Sequence, residues 1–114
     1  MMFPKPKKLK NKNYGRWLAF NYGHKNPPHH VLNPEGGGRR NRDDCQVPIP
    51  YDIHYGIEHT GVGKRWEKEN NELLQRLAGA CWDAYQRGDT DCATVHWYLH
   101  QVIASWNSIV RGVA

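Results

Sequence analysis

The sequence predicts an α+β protein in which a small, irregular two-stranded hairpin precedes a C-terminal antiparallel helical hairpin. Apolar residues recur at helical spacing through the second half of the chain. The first half instead carries short apolar runs separated by proline and glycine, as is typical of short strands and loops. The 114 residues, 39% of them hydrophobic, suffice for one domain with one modest core.

The N-terminal elements are short. Residues 1–12 predict a basic, extended arm, because Pro4 and Pro6 interrupt a run of lysines and block a helix. Residues 13–22 predict a short helix with one apolar side. Residues 23–44 are rich in loop signals, and the run HHVL within them predicts one strand. The run CQVPIP predicts a second strand, and its prolines favour a position at a sheet edge.

The C-terminal elements are helical. Residues 51–58 predict a short helix, and the glycines of TGVG predict a turn after it. Residues 64–88 predict one long amphipathic helix that ends at Gly88. The run DTD then supplies an N-cap for a last helix, and the short connection predicts an antiparallel hairpin. A single domain is expected, with an arm, a core and a packed helical hairpin over residues 1–12, 13–64 and 65–114.

The charge of the chain indicates an anionic partner. The net charge is +5 at pH 7, which favours nucleic acid first. Lysines cluster in the arm and arginines lie beside three glycines, which predicts nucleic-acid contacts from Lys7, Lys8, Lys10, Arg39, Arg40 and Arg42. No apolar run approaches the ~18 residues of a membrane span, so no membrane partner is expected. Three cysteines without a C-x-x-C pair favour a reducing cytoplasm.

Four histidines in the predicted core could carry chemistry: His29, His30, His54 and His59. Neutral imidazole binds first-row divalent ions and also serves as a general base near neutral pH. Hydrolysis of a phosphodiester needs both roles, a metal on the phosphate and a base that takes the proton from water. Adjacent residues of a strand point to opposite faces, so His29 and His30 could divide these roles. Spacing alone leaves open that all four are polar loop residues.

A second group lies on the last predicted helix. Cys92, His96 and His100 are four residues apart and therefore line one helical stripe. Such a stripe could bind zinc or copper. The favoured interpretation is that Cys92 belongs to the core and that the two histidines flank it.

The order of the core motifs resembles the HNH nucleases, which are also called the His-Me finger or ββα-metal class. The chain is most similar to a phage-encoded branch related to the recombination-enhancement-function nuclease. The resemblance covers roughly residues 4–85. The matching positions are His29-His30, the glycine- and arginine-rich loop, Asp43 with VPI, the two later histidines, Gly61, and Trp66-Glu67.

The resemblance implies a small ββα-metal core and a role for each matched residue. His30 would be the general base, and His29 a metal ligand from the same strand. His54 and His59 would be ligands from the following helix, and Asp43 would brace the loop or orient the base. The implied activity is a phage DNA endonuclease that uses one divalent ion, Mg²⁺ or Mn²⁺, with Zn²⁺ or Ni²⁺ also compatible. The implied substrate is double-stranded DNA in the host cytoplasm.

One departure from the family pattern concerns the second pair of histidines. The family spacing is H-x-x-x-H, whereas His54 and His59 have four residues between them and lie about 140° apart on an ideal helix. Glu58 stands at the expected position and is an alternative ligand to His59. A catalytically decayed scaffold that binds DNA or inhibits a host defence protein is therefore an alternative function. An interaction module built on the helical hairpin is a third.

Overall fold

The computed structural model describes residues 11–23, 26–32 and 43–110, and these segments form an α+β structure that is mostly helical. Five helices and one two-stranded antiparallel sheet occupy the described segments. Their bounds are Lys12–Asn21 (α1), His29–His30 (β1), Gln46–Val47 (β2), Tyr51–His59 (α2), Gly61–Glu69 (α3), Asn71–Arg87 (α4) and Ala93–Val110 (α5). Nothing helical within these segments is long and apolar enough to cross a membrane.

The first helix begins at the end of the predicted arm, one residue earlier than the pattern indicates. The side chain of Asn11 accepts a hydrogen bond from the backbone N–H of Tyr14 (3.0 Å) and thereby caps α1. Tyr14 and Leu18 are buried on the inner side of this helix. The ring of Tyr14 meets that of Trp82 edge to face, with 4.9 Å between centroids, so α1 is anchored on α4.

The predicted strand pairing is confirmed. His29 lies opposite Val47 and His30 opposite Gln46 in an antiparallel register. The N–H of Val31 extends the ladder by donating to the carbonyl of Cys45 at 3.0 Å. The sheet is short, but its pairing holds the two adjacent histidines in defined directions.

The predicted turn at TGVG is wrong. Thr60 is a single extended residue (φ −129°, ψ 149°) that separates α2 from a new helix, α3, which starts at Gly61. Its hydroxyl accepts a hydrogen bond from the N–H of Gly63 (2.8 Å), so this threonine is an N-cap. The two glycines had suggested a loop, but the capping hydroxyl starts a helix at once.

The predicted long helix over residues 64–88 is likewise divided, at Asn70. This residue leaves the helical conformation (φ −106°, ψ 17°), and its side-chain amide donates to the carbonyl of Trp66 at 2.9 Å. An asparagine side chain competes in this way with the backbone for helical carbonyls. The break ends α3 at Glu69 and starts α4 at Asn71.

The last two helices form the predicted antiparallel hairpin. At the end where α3 leads into α4, Trp66 Nε1 of α3 donates to Ser105 Oγ (3.1 Å) in the second half of α5. At the other end, Arg87 contacts the sulfur of Cys92 just before α5. Gly88 ends α4 with φ 70°, as predicted. The buried residues of the pair are Leu74, Leu77, Ala78, Cys81, Ala84, Val95, Val102 and Trp106. The helical spacing of the sequence also places Val110 on the apolar side, but its side chain is exposed.

Two glycines allow α2 to lie very close to its neighbours. A methyl group on Gly63 of α3 would overlap the backbone carbonyl of Gly56 in α2. A methyl group on Gly56 would in turn overlap the indole ring of Trp106. The position of α2 therefore depends on the absence of side chains at both glycines.

Candidate metal centre

The short strand β1 sends its two histidines into different environments. The side chain of His29 is only 1% exposed, whereas that of His30 is 38% exposed. This difference follows from the alternation of side chains along a strand. It separates an interior imidazole from one that solvent can reach.

His29 is held on both sides of its ring. Its Nε2 lies 2.6 Å from Oε2 of Glu67, a carboxylate of α3 that is itself buried. Its Nδ1 lies 2.9 Å from Nδ1 of His54 on α2. A neutral His29 that donates its Nε2–H to Glu67 has the lone pair of Nδ1 directed toward His54.

Three side chains meet at this point. Single donor atoms of His29, His54 and Glu58 all lie within 4.8 Å of one another, and this group could hold a metal ion. His54 and Glu58 are four residues apart on α2, which places them on one face of the helix. Burial decreases across the group, from the buried His29 through His54 to the exposed Glu58. The site is therefore anchored in the interior and opens to solvent at its carboxylate.

The spacing of the two imidazoles suits joint coordination. Two ligand atoms that each lie ~2.1 Å from one octahedral ion, ~90° apart, are separated by about 3 Å. The observed Nδ1–Nδ1 distance is 2.9 Å. Two imidazoles and one carboxylate form a mixed donor set, since imidazole suits zinc and nickel while carboxylate suits magnesium and manganese. The pairing of His29 with Glu67 corresponds to the outer carboxylate that commonly orients a ligating histidine.

The third predicted ligand, His59, lies outside this group. Its ring is tilted against that of Tyr55 with 4.3 Å between centroids, and its side chain is exposed. The extra residue between the two helical histidines rotates His59 away from His54, as the spacing indicates. Glu58, the alternative ligand, occupies the position near His29 and His54 instead.

His30 and Asp43 form a separate pair. His30 Nε2 lies 2.8 Å from Oδ1 of Asp43, and the other carboxylate oxygen accepts the backbone N–H of Asn11 at 2.7 Å. The carbonyl of Asp43 also accepts from the side-chain amide of Gln46 (2.6 Å). Asp43 thus connects the start of α1, the sheet and the exposed histidine. If Asp43 accepts the Nε2 proton of His30, the Nδ1 of His30 carries the basic lone pair.

The stripe of Cys92, His96 and His100 begins just before α5, and two of its three residues have a structural explanation. Cys92 is buried, and its backbone N–H donates to the hydroxyl of Tyr22 at 2.8 Å. His96 pairs with Asp91 (2.7 Å), and its ring packs near that of Tyr22. Within residues 11–23, 26–32 and 43–110, the only group with metal-binding geometry is that of His29.

Two cysteines of the described segments, Cys45 and Cys81, are poor thiolate ligands. Burial, with a smaller contribution from the charge of Asp44, raises the pKa of Cys45 to about 11. Burial also raises the pKa of Cys81 well above its usual value. Both residues are therefore neutral thiols near pH 7.

The predicted nucleic-acid contacts lie outside the described residues, in segments 1–10 and 33–42. Glu67, which the resemblance matches without a role, and Lys64, which no sequence pattern singles out, lie close to the site instead. Glu67 supports His29 from the interior, and Lys64 donates from Nζ to the carbonyl of Glu58 at 3.0 Å. The match of Trp66-Glu67 to the family pattern was the signal for Glu67. No comparable signal pointed to Lys64.

Comparison of the chain with protein-family models, with curated proteins and with solved structures finds no match. Evidence about the function of the chain therefore comes from the geometry of the candidate metal centre and its neighbours.

The role of Glu67 leads to a prediction about metal affinity. Glu67→Gln preserves the size of the side chain and an accepting oxygen but removes the negative charge that orients His29. We expect divalent-metal affinity to fall by about 10- to 100-fold, measured by titration calorimetry with Mn²⁺ and Zn²⁺. Glu69→Gln, an exposed change on the same helix, is the matched control and should bind as the wild type does. Equal affinities in the two variants would contradict a supporting role for Glu67.

Proposed function

We propose that this protein is a metal-dependent endonuclease of the HNH type that hydrolyses phosphodiester bonds in DNA. The observation that carries the proposal is the division of roles between two adjacent histidines. His29 belongs to a group with metal-binding geometry, whereas His30 is partly exposed and paired with a carboxylate. A buried ligand and a solvent-accessible base, side by side, are what one-metal hydrolysis of a phosphodiester requires.

The chain's own residues would supply binding, orientation and proton transfer. His29, His54 and Glu58 would hold one divalent ion, which in such sites neutralises charge on the scissile phosphate and the leaving oxygen. Glu67 keeps the lone pair of His29 directed into the site. Asp43 keeps Nε2 of His30 protonated, so that Nδ1 can take a proton from the attacking water. The carboxylate also stabilises the imidazolium that results.

The proposed ion is Mg²⁺ or Mn²⁺, and the donor set is also compatible with Zn²⁺ or Ni²⁺. The carboxylate of Glu58, at the open edge of the site, is the harder ligand and favours Mg²⁺ and Mn²⁺. The two imidazoles favour Zn²⁺ and Ni²⁺. The proposed partner is DNA, which the net charge of +5 would attract.

The proposal is tested by the nicking of supercoiled plasmid with each of the four ions and with chelator. We expect the wild-type protein to nick in the presence of ion and to be inactive in chelator. His54→Ala removes one of three ligands and should reduce nicking to the level seen in chelator. His100→Ala replaces an exposed histidine of α5 and should nick normally. Wild-type protein that binds DNA without nicking under any ion would instead favour the decayed scaffold, for which the position of His59 outside the ligand group is the supporting observation.

A further inference from the structure

The exposed face of α2 carries a row of aromatic rings beside the candidate metal centre. Tyr51, Tyr55 and His59 are spaced by four residues, so that they follow one face of the helix. We call these three residues the α2 aromatic strip. Tyr51 is 56% exposed and Tyr55 is 51% exposed. Two large rings on one short helix are thus left largely in water, and the core of the protein does not account for them.

The rings are near neighbours of one another and of the candidate ligands. The centroids of Tyr51 and Tyr55 are 6.2 Å apart, and those of Tyr55 and His59 are 4.3 Å apart. Tyr51 also lies 6.5 Å from the ring of His54. The strip therefore begins beside the candidate ligand His54 and ends at the residue that follows Glu58. A molecule lying along the strip would pass the candidate metal centre.

Positive charge lies at the far end of the strip. Lys64 of α3 donates from Nζ to the carbonyl of Glu58, which brings its ammonium group near His59. Arg65, the next residue, is also exposed. Flat aromatic faces next to positive charge match a ligand that alternates flat apolar groups with anionic groups. A single nucleic-acid strand has this composition, because its bases present π faces and its backbone carries phosphates.

We propose that the α2 aromatic strip and Lys64 bind an unpaired segment of the nucleic-acid substrate. The inference rests on the proposed function and narrows its substrate class. Bases within a duplex are stacked on one another and offer their faces only when they are unpaired. Stacking on Tyr51 and Tyr55 would thus favour DNA that carries a flap, gap or loop beside the bond to be cut over fully paired DNA.

Binding measured without metal tests the strip separately from cleavage. Fluorescence anisotropy in chelator would compare a labelled oligothymidylate of about 12 nucleotides with a duplex of equal length. In the double variant Tyr51→Leu/Tyr55→Leu both sites stay apolar but lose their flat faces. We expect its single-strand affinity to fall by roughly tenfold per ring, with little change for the duplex.

Matched variants distinguish stacking from general loss of surface. Tyr51→Phe/Tyr55→Phe retains both faces and should bind the single strand as the wild type does. Phe20→Leu replaces another exposed aromatic residue, on α1, and should have no effect. Lys64→Gln should lower the slope of log affinity against log salt by about 0.7, the value for one phosphate contact on a single strand.

The outcomes separate this inference from the proposed function. If the leucine variant loses single-strand binding and the phenylalanine variant does not, the α2 aromatic strip is supported as the binding surface, even if the wild type proves unable to nick DNA. Equal single-strand affinities of the leucine and phenylalanine variants would overturn the proposal that the α2 aromatic strip binds unpaired DNA, even if nicking is metal-dependent and requires His54. A wild-type mass that doubles with concentration, and returns to that of a monomer in the leucine variant, would overturn it too by identifying a second copy of the chain as the occupant.

Discussion

His30→Ala is expected to slow metal-dependent nicking of DNA by about 10²- to 10⁴-fold, the usual contribution of a general base. The imidazole of His30 is the partly exposed member of the histidine pair, and Asp43 holds its Nε2 at 2.8 Å. Its removal leaves the group of His29, His54 and Glu58 intact. Metal affinity should therefore be unchanged, which separates this variant from one that loses a ligand.

The measurement is the initial rate of nicking at saturating metal, together with a calorimetric titration of the same preparation. His96→Ala is the matched control, because His96 also forms an exposed pair with a carboxylate, that of Asp91 (2.7 Å), but on α5. We expect the control to nick at the wild-type rate. Asp43→Asn should give an intermediate rate, since it retains an accepting oxygen but loses the charge that stabilises the imidazolium. Equal rates for wild type and His30→Ala would refute the assignment of the base.

Gly63→Ala is expected to lower the free energy of unfolding by about 3 kcal/mol, the upper part of the range for overpacking. The added methyl group would overlap the backbone carbonyl of Gly56. A backbone carbonyl cannot rotate aside as a flexible side chain can, so α2 and α3 must separate. Because α2 carries His54 and Glu58, the same change should also weaken metal binding.

Urea unfolding followed by circular dichroism measures the first effect. Gly79→Ala provides the control, since a methyl group at Gly79 of α4 meets no atom within 4 Å. That substitution replaces glycine by alanine in an exposed helical position and should raise the free energy of unfolding by about 0.5–1 kcal/mol. We therefore expect the two substitutions to change the free energy of unfolding in opposite directions. Similar urea midpoints for the two variants would mean that Gly63 of α3 does not lie in close contact with the backbone of Gly56 in α2.

Local patterns in the chain predicted much of the fold. The apolar spacing predicted the last helices, and Gly88 correctly marked the end of α4. The short apolar runs around the adjacent histidines predicted the antiparallel pairing of two strands. These features depend on a residue and its near neighbours, which is why periodicity and turn chemistry could reveal them.

Errors arose where a side chain competes with the backbone. The hydroxyl of Thr60 caps a new helix where two glycines had indicated a turn. The amide of Asn70 bonds to the carbonyl of Trp66 and divides what the apolar spacing predicted as one helix. In both places one hydrogen bond of a polar side chain decides the path of the chain, and residue spacing contains no information about it.

The order of residues along the chain establishes which donor groups are available: two adjacent histidines, a third on a later helix, and a carboxylate four residues beyond the third. Which of these groups meet depends on the packing of the folded chain. Glu67 reaches His29 across 38 positions of the chain, and Asp43 reaches both His30 and the start of α1. The contact of Glu67 with His29 depends on how closely α3, packed against α2, approaches the sheet. That approach depends on packing among residues distant in sequence, such as Gly56, Gly63 and Trp106, and no local pattern encodes it.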